Sequence, residues 1–396
     1  MPRALVLCEY ATLNGGERSL LAVLPHLQQA GWEFDFLAPP DGPLAVALRE
    51  RCVEIIGRHD NVADFLSRRP YDLVHANSLA MSIYLGAHAE ELQVPTIGHL
   101  RDIVRLSANK IAQLNRNTRL LAVSEAARTH HIAQGLDAAR THVLHNGIDT
   151  NVFLPSPLAG EAVSFLPSPL AGEGPGVRGN PTTNLRTELK LSPDAKLIGL
   201  IGQIILRKGQ DTALAATAPL LQEDPKLHVV LLGERHSEKP ETVDYERKLH
   251  AIAAEAGVAD RVHYLGTRDD VAQILPQFTL LLHMARQEPL GRVLLEAAAC
   301  GVPVVATDVG GTREIFPRAE DDGALLVPVD DAAAARAAVQ TILADDALAR
   351  RMGSAGRTRV VSAFSVEQSA AGLLRHYEEV AFGPLTPGPS PARGEG

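Results

Sequence analysis

Short apolar runs recur along the first part of the chain, separated by loops and helical patterns. The run at 4–8 leads into the glycine-containing loop 14–17, and leucines at three- and four-residue spacing follow. This order predicts a strand, a loop and a helix. We expect further strands, with helices between several of them, at 34–37, 73–76, 96–98, 120–123 and 141–144.

The same pattern starts again near residue 196. An apolar run at 196–201 precedes a loop and a predicted helix from about 211 to 221. Strands that alternate with helices indicate a parallel sheet covered on both faces. The sequence therefore predicts two doubly wound α/β domains, whose ligands lie at the carboxyl ends of the strands and between the domains. The other strands of the second domain are expected at 227–232, 262–265, 280–283, 302–307 and 324–327.

A segment rich in proline and glycine separates the two patterns. Its first nine residues, 153–161, are repeated without change at 165–173, and the C-terminal tail has a similar composition. Such a composition cannot bury a core, so we expect disorder in both places. We interpret both as translated copies of an interspersed DNA repeat. A proline-rich arm that binds a partner is the alternative.

These patterns set the predicted domain boundaries. Leu373, Leu374 and Tyr377 lie at helical spacing and predict a last helix before the tail. We place an N-terminal domain at 1–152, an insertion at 153–182, a C-terminal domain at 183–365, a crossing helix at 366–382 and a tail at 383–396.

Composition narrows the class of protein. The 396 residues exceed what one core usually supports, which agrees with two domains. A net charge of -9 argues against a nucleic-acid-binding protein. The three cysteines form no CxxC pair, which indicates neither a disulfide framework nor a zinc site and favours the cytoplasm. No signal peptide and no apolar run of about 18 residues is recognisable.

The strongest local motif is Glu-Pro-Leu-Gly-Arg-Val-Leu-Leu-Glu-Ala at 288–297. Pro289 suits the first turn of a helix, and Gly291 lets a ligand approach the backbone. The free N–H groups at a helix start form an anion site that suits a diphosphate. Glu288 and Glu296 would then grip hydroxyl groups at opposite ends of one ligand. The alternative is a capped amphipathic helix with Glu296 on its solvated face.

Two glycine-containing loops are weaker signals. The loop 202–209 follows a predicted strand and carries Arg207 and Lys208, whose charges could neutralise two phosphate charges. The early Gly15–Gly16 loop could admit a ligand against its backbone, although such a pair after a strand is more often a turn.

With these motifs in place, the chain resembles the retaining glycosyltransferases of family 4, which have the GT-B fold. The stretch 288–297 matches that family's signature. Weaker matches follow in the expected order at 15–16, 98–101, 122–124, 145–149, 202–209, 264–266, 301–306 and 310–311. The resemblance covers about 4–150 and 183–380. It implies two Rossmann-like domains facing a central cleft, with a C-terminal helix crossing back to the N-terminal, acceptor-binding domain.

The resemblance also implies roles for single residues. Glu288 would bind hydroxyls of the donor sugar, Glu296 the ribose, and Lys208 the diphosphate of a nucleotide-diphosphate sugar. His99 matches a histidine near the transferred sugar, and we assign His99, Lys208 and Glu288 to catalysis. The remaining donor-binding residues are Gly16, Gln203, Arg207, Leu290 and Gly291. Gln203 stands where the family usually has arginine, so either Arg207 compensates or donor binding is weaker.

These roles describe a hexosyltransferase-type enzyme of polysaccharide biosynthesis, with an unidentified glycan, lipid-linked or small-molecule acceptor. The resemblance implies no metal and no cofactor. A nucleotide-sugar epimerase of the same fold and a non-catalytic nucleotide-sugar-binding protein are the alternatives, the latter supported by Gln203.

The segment from Arg101 to Arg119 is rich in basic residues. It could steer an anionic acceptor or give peripheral contact with the inner face of a membrane. A solvated helix face is the simpler interpretation.

Overall fold

The computed structural model describes residues 1–51, 53–56, 66, 69–155 and 184–383. The chain divides into two compact units. Unit 1 contains Met1–Gly147 and the chain from Ser365 onward, and unit 2 contains Ile148–Phe364. The repeat insertion expected at 153–182 lies outside the described residues from 156 onward, as does the tail after residue 383.

Unit 1 is built on a seven-stranded sheet with the order β3-β2-β1-β4-β5-β6-β7, in which every pairing is parallel. The six strands expected from the apolar runs are confirmed within two residues at each end. The short strand Glu54–Ile56 was not predicted. The strands are β1 Arg3–Leu7, β2 Glu33–Leu37, β3 Glu54–Ile56, β4 Leu73–Ala76, β5 Thr96–Leu100, β6 Arg119–Ala122 and β7 Thr141–Val143.

The helices of unit 1 follow the strands, as a doubly wound fold requires. Several begin at a serine whose hydroxyl accepts a backbone N–H, for example Ser78 and Ser124. The helices are α1 Gly15–Gln29, α2 Pro43–Arg49, α3 Leu79–Ala87, α4 Ala89–Leu92, α5 Ala108–Leu114 and α6 Glu125–Ile132.

Unit 2 is built on a six-stranded sheet with the order β10-β9-β8-β11-β12-β13, again with parallel pairings. All six predicted strands are present. The strands are β8 Lys196–Ile201, β9 Leu227–Leu232, β10 Val262–Tyr264, β11 Leu280–His283, β12 Val304–Thr307 and β13 Ala324–Val327. The four central strands, β8, β9, β11 and β12, are buried on both faces, which explains why the sequence showed them as unbroken apolar runs.

The helices of unit 2 cover this sheet. Single turns of 3₁₀ helix lie at Leu206–Lys208, Ala259–Arg261, Leu275–Gln277 and Ala319–Asp322. The α-helices are α7 Leu185–Glu188, α8 Gln210–Glu223, α9 Pro240–Glu255, α10 Val271–Ile274, α11 Arg292–Ala299, α12 Thr312–Ile315, α13 Ala332–Ala344 and α14 Asp346–Ala363.

The last helix, α15 at Val366–Phe382, returns to unit 1. The Ser365 hydroxyl caps its start by accepting the Gln368 N–H. Tyr377 is fully buried, and its ring meets that of Trp32 edge-on at 5.0 Å. The apolar spacing that predicted this helix therefore marks the face that completes the core of unit 1.

Candidate functional site

Three neighbouring strands of unit 2 lead into loops that carry two predicted donor residues and a glycine pair that matches the family. Lys208 follows β8, Glu288 follows β11, and the Gly310–Gly311 pair follows β12. These strands are adjacent in the order β8-β11-β12. Because parallel strands end at the same edge of a sheet, residues far apart in sequence meet there.

The Glu288 carboxylate is the centre of this arrangement. Its Oε2 atom lies 2.6 Å from Lys208 Nζ and 2.8 Å from His283 Nε2. Only 5% of Glu288 is exposed. Burial alone raises the pKa of this carboxyl, but the Lys208 ammonium and the hydrogen bond from His283 outweigh burial and hold the pKa well below its usual range. Glu288 is therefore ionised at neutral pH.

His283 acts in this group as a neutral hydrogen-bond donor. Burial lowers the pKa of its imidazole, although the hydrogen bond to Glu288 opposes that effect. A carboxylate only accepts hydrogen bonds, so the Nε2 atom of His283 carries a hydrogen and donates it in the hydrogen bond to Glu288 Oε2. His283 was not singled out from the sequence, because an isolated histidine at the end of a strand gives no signal of its own.

Lys208 is positioned by the glycine that follows it. Gly209 has a φ of +63°, and a Cβ atom there would lie 1.8 Å from the Met284 carbonyl oxygen. Only glycine combines this backbone conformation with so close an approach. The loop that carries Lys208 is thus packed against the segment that leads to Glu288.

Glu288 is positioned in the same way by the Gly310–Gly311 pair. The Gly311 N–H donates to the Glu288 carbonyl oxygen at 3.0 Å. Gly310 has a φ of +55°, and a Cβ atom there would lie 1.9 Å from that same oxygen. The glycine pair noted in the sequence therefore supports the backbone of the buried carboxylate.

The turn after Glu288 corrects one expectation. Pro289 was predicted in the first turn of a helix, but it lies in a bend, and α11 begins only at Arg292. The cause is Gly291, whose φ of +102° interrupts the helical backbone. The carboxylates of Glu288 and Glu296 are therefore not carried by one continuous helix.

Backbone N–H groups at this turn are available to a ligand. The N–H groups of Leu290 and Gly291 meet no acceptor within the part of the chain that the structure describes. They lie just before the N-terminus of α11, where the helix dipole favours negative charge. The geometry suits a phosphate oxygen or a sugar hydroxyl.

The other predicted donor residues of unit 2 lie around this turn and on the loop after β8. Glu296 is mostly buried on α11 and accepts from Arg292 Nε at 2.8 Å, so the solvated alternative does not hold. Gln203 is half-buried, and its carbonyl oxygen accepts from Gln210 Nε2 at 2.8 Å. Arg207 is half-buried, and its guanidinium meets no carboxylate within salt-bridge distance among the described residues.

An ion pair missed from the sequence braces the Lys208 loop. Arg286 approaches Asp211 with both terminal nitrogens, at 2.9 and 3.1 Å, and also donates to the Leu206 carbonyl oxygen at 2.6 Å. Burial alone raises the pKa of Asp211, yet the hydrogen bonds from Arg286, Lys248 and Tyr245 lower it well below its usual range. The pair therefore ties the loop after β8 to the loop after β11.

This shift gives a pH-dependent prediction. The lowered pKa of Asp211 adds stability that is present above its ordinary pKa of about 4 and is lost as the pH falls toward the folded value. We expect Asp211→Asn to lower the free energy of unfolding at pH 7 by about 1.5–3 kcal/mol. The free energy of unfolding of this variant should also change less with pH below about pH 4. Urea unfolding at pH 7 and below about pH 4 measures both effects, with the exposed Asp346→Asn as control. Equal acid sensitivity of wild type and Asp211→Asn would contradict it.

In unit 1 the structure brings together three motifs that were separate in the sequence. His99 lies in β5 and is buried, and Arg101 follows directly after that strand. A Cβ atom on Gly16 would lie 3.0 Å from Arg101 Cδ. Arg101 Nη1 also donates to Asn146 Oδ1 at 2.7 Å. Gly16 and His99 therefore both lie next to Arg101 within unit 1.

The basic segment does not form a single solvated face. Arg101 points into unit 1, and Arg119 donates to Glu379 and to His376 on α15. Arg105, Lys110 and Arg116 are exposed. All three are solvated, but only Lys110 lies on a helix, Ala108–Leu114, so the interpretation as a solvated helix face holds for Lys110 alone.

Two family models match the chain. The model described as Glycosyltransferase Family 4 matches residues 13–152, and the one described as Glycosyl transferases group 1 matches residues 181–359. The chain belongs to glycosyltransferase family 4. The family signature at 288–297 lies inside the second match, together with Lys208 and His283.

Solved structures with the same fold extend over nearly the whole chain. Anabaena HepE in complex with UDP-glucose is 23% identical, with a TM-score of 0.78 and coverage of 94% of this chain and 99% of that one. A glycosyltransferase from Rickettsia africae is 17% identical, with a TM-score of 0.78 and coverage of 96% and 99%. The expected GT-B fold is confirmed.

Curated relatives align over a smaller part. The lipopolysaccharide core biosynthesis glycosyltransferase LpsE of Rhizobium meliloti is 32% identical over 182 residues, which are 46% of this chain and 49% of the relative. The D-inositol 3-phosphate glycosyltransferase of Streptomyces bingchenggensis is 34% identical over 209 residues, covering 50% and 44%. The chain spans about half the length of these curated relatives.

Within the described ranges, no helix is long and apolar enough to cross a membrane. The same residues contain no group of three or more histidine, cysteine or acidic side chains that could hold a metal ion.

Proposed function

We propose that the chain is a retaining glycosyltransferase that moves a sugar from a nucleotide-diphosphate sugar to an acceptor hydroxyl, and that unit 2 binds the donor. The observation that carries this proposal is the buried Glu288 carboxylate held by Lys208 and His283. It lies beside the backbone N–H groups of Leu290 and Gly291, which meet no acceptor among the described residues. The Lys208 ammonium and the two N–H groups suit an anion, and the Glu288 carboxylate suits sugar hydroxyls.

The anionic end would hold the diphosphate. A lysine ammonium has three N–H donors, and Glu288 engages one, which leaves two for phosphate oxygens. Arg207 adds a second cation on the same loop and would take over the role that an arginine at position 203 has in the family. Together with the Leu290 and Gly291 N–H groups, these donors would stabilise the charge that develops on the leaving diphosphate. No metal is then required for that purpose.

The carboxylate end would hold the sugar. Oε2 of Glu288 is occupied by Lys208 and His283, whereas Oε1 accepts no hydrogen bond from the described residues. An ionised carboxylate only accepts hydrogen bonds, so its natural partner here is a hydroxyl group of the sugar. Because the pKa of Glu288 lies well below its usual range, this acceptor is present throughout the neutral pH range. Glu296, farther along α11, would receive the ribose hydroxyls.

The reaction itself would follow the course that family membership implies. The bond between the anomeric carbon and the diphosphate oxygen breaks, and the acceptor oxygen bonds to the same face of that carbon. The acceptor hydroxyl loses its proton to the departing diphosphate oxygen, so charges and atoms balance. Uridine nucleotides are the first donors to test, because solved structures of Anabaena HepE with this fold contain UDP or UDP-glucose.

A thermal-shift panel of UDP-, GDP- and ADP-sugars in EDTA tests the proposed site. We expect one nucleotide class to raise the Tm of the wild type by about 5–10 °C at about 100 times its Kd. Glu296→Ala should reduce that rise strongly, because the ribose loses its carboxylate partner. The exposed Glu255→Ala in the same unit is the matched control and should behave like the wild type.

Other outcomes favour other functions. A Tm rise that Glu296→Ala leaves unchanged would place the nucleotide elsewhere. No rise with any nucleotide would contradict donor binding by unit 2. Binding accompanied by conversion of the sugar at a ring carbon, with the diphosphate bond intact, would establish an epimerase.

A further inference from the structure

Arg101 connects His99 to two loops of unit 1. Its Nε donates to the Asn77 carbonyl oxygen at 3.0 Å, and its Nη2 donates to Asn77 Oδ1 at 2.8 Å. Its Nη1 donates to Asn146 Oδ1 at 2.7 Å. Asn77 follows β4 and Asn146 follows β7, so one guanidinium is fixed by loops on either side of β5.

The same guanidinium determines which nitrogen of His99 can carry a proton. Arg101 Nη2 lies 3.1 Å from His99 Nδ1. A guanidinium has donors and no acceptor, so Nδ1 must offer its lone pair. Burial, and then the nearby charge of Arg101, lowers the pKa of His99 well below its ordinary value, so the ring is neutral. A neutral ring whose Nδ1 accepts carries its one proton on Nε2.

That Nε2–H group is left without a partner. The Nε2 atom of His99 is buried and meets no acceptor among the residues that the structure describes. His99 lines a small cavity within unit 1, together with Ser19, His145, Asn146 and Ser369. A buried donor without an acceptor costs about 1–3 kcal/mol. Such a group marks a place where an oxygen atom of a ligand would bind.

A second histidine supports the ring of His99. His75 stacks on His99 with ring centroids 5.6 Å apart and an angle of 25° between the planes. Its Nδ1 lies 2.7 Å from the hydroxyl of Tyr377 on α15. Burial lowers the pKa of His75 to about 3, so both rings are neutral and do not repel each other. The plane of His99 is therefore fixed by stacking, and its tautomer by Arg101.

We infer that Arg101 is a positioning residue that holds His99 as the Nε2–H tautomer, so that His99 donates a hydrogen bond to a ligand oxygen and takes no proton from it. This inference rests on the proposed function for the identity of the ligand, a sugar hydroxyl or another oxygen of donor or acceptor. His99 is then not a catalytic base. Arg101 fixes the tautomer of His99, a role that the basic composition of its segment did not indicate.

Nitrogen-15 NMR of histidine-labelled protein tests the tautomer directly. The His99 signals are assigned by their loss in His99→Gln. We expect the pattern of a neutral ring protonated at Nε2 throughout the range from about pH 6 to 8, in which an ordinary histidine titrates. A ring protonated at Nδ1, or an imidazolium in this range, would overturn the inference. This readout needs no turnover, so it stands apart from success or failure of the proposed function.

Variants of Arg101 test its role in the same experiment. Arg101→Met removes the donor to Nδ1, and the fraction of the Nε2–H tautomer should fall. Arg101→Lys cannot hold both asparagines and His99, so the fraction of the Nε2–H tautomer should fall. Because lysine keeps the positive charge, the fall should be smaller than in Arg101→Met. The exposed Arg105→Met is the matched control and should leave the signals unchanged. An unchanged His99 pattern in either folded Arg101 variant would refute the positioning role.

An activity comparison at position 99 distinguishes donation from proton transfer. The amide nitrogen of glutamine lies near the place of Nε2, whereas that of asparagine lies near the place of Nδ1. We expect His99→Gln to keep activity within about 3–10-fold of the wild type, the effect of weakening one neutral hydrogen bond, and His99→Asn to lose more. Equal, complete loss in both folded variants would favour a ring that must take up a proton.

Discussion

Replacing Lys208 with methionine is expected to lower kcat by about 10²–10³-fold, the usual effect of removing one group that stabilises developing charge. Lys208 lies 2.6 Å from the buried Glu288 carboxylate, and two of its donors remain for the diphosphate. Methionine keeps much of the length and the apolar contacts of the side chain but no charge. Steady-state kinetics with the donor identified by thermal shift measures the effect.

The same variant should also lose stability, and this loss must be separated from the chemistry. Without Lys208 the Glu288 carboxylate is buried with His283 as its remaining partner among the described residues, which costs about 3–5 kcal/mol. The double variant Lys208→Met/Glu288→Gln removes both charges and should recover part of that stability. It should recover none of the activity. A double variant that regains both stability and turnover would show that Lys208 is needed only to fold.

Gly209→Ala is expected to reduce stability and donor binding together. Its Cβ atom would lie 1.8 Å from the Met284 carbonyl oxygen, far inside van der Waals contact, so the loop or the strand end must move. A left-handed φ of +63° costs an alanine about 1 kcal/mol, and overpacking adds about 1–3 kcal/mol. The displaced loop carries Lys208, so the Kd for the donor should rise at the same time.

Gly257 provides a control for the backbone term alone. It has a φ of +68°, and a Cβ atom there would meet nothing within 4 Å. Gly257→Ala should therefore cost only about 1 kcal/mol and leave donor binding unchanged. Chemical unfolding of both variants measures the loss of stability, and calorimetric titration measures the Kd for the donor. If the two substitutions had equal effects, close packing at Gly209 would not be what positions Lys208.

The strands could be predicted because buried parallel strands appear in the sequence as unbroken apolar runs. The edge strand Glu54–Ile56 was missed because it has only three residues and begins with a glutamate. The start of α11 was placed too early because Pro289 resembles a first-turn proline. Gly291 takes a left-handed conformation that sequence spacing does not reveal.

The candidate site was predictable only in part. Family resemblance named Lys208 and Glu288, but nothing in the sequence indicates that their side chains meet across 80 residues. His283, Asp211 and Arg286 were missed because each acts through a partner supplied by another loop. Such pairings depend on which strands are adjacent in the sheet, and the order of the strands cannot be predicted from the residues near each strand.

The role of Arg101 in unit 1 could not be predicted from the sequence either. Arg101 was grouped with a basic segment because five cations occur between 101 and 119. In the structure it donates to Asn77, Asn146 and His99, and the charge serves hydrogen bonding inside the unit. Composition counts charges, whereas the fold decides which of them face solvent.

A crystal structure of the chain with its preferred nucleotide-diphosphate sugar, obtained without metal, is the decisive test of the proposed donor site. We expect diphosphate oxygens within hydrogen-bond distance of Lys208 Nζ and of the Leu290 and Gly291 N–H groups. We also expect the ribose at Glu296 and a sugar hydroxyl at the Glu288 carboxylate. A nucleotide bound away from Lys208 and Glu288, with their ion pair unchanged, would refute the proposed donor site.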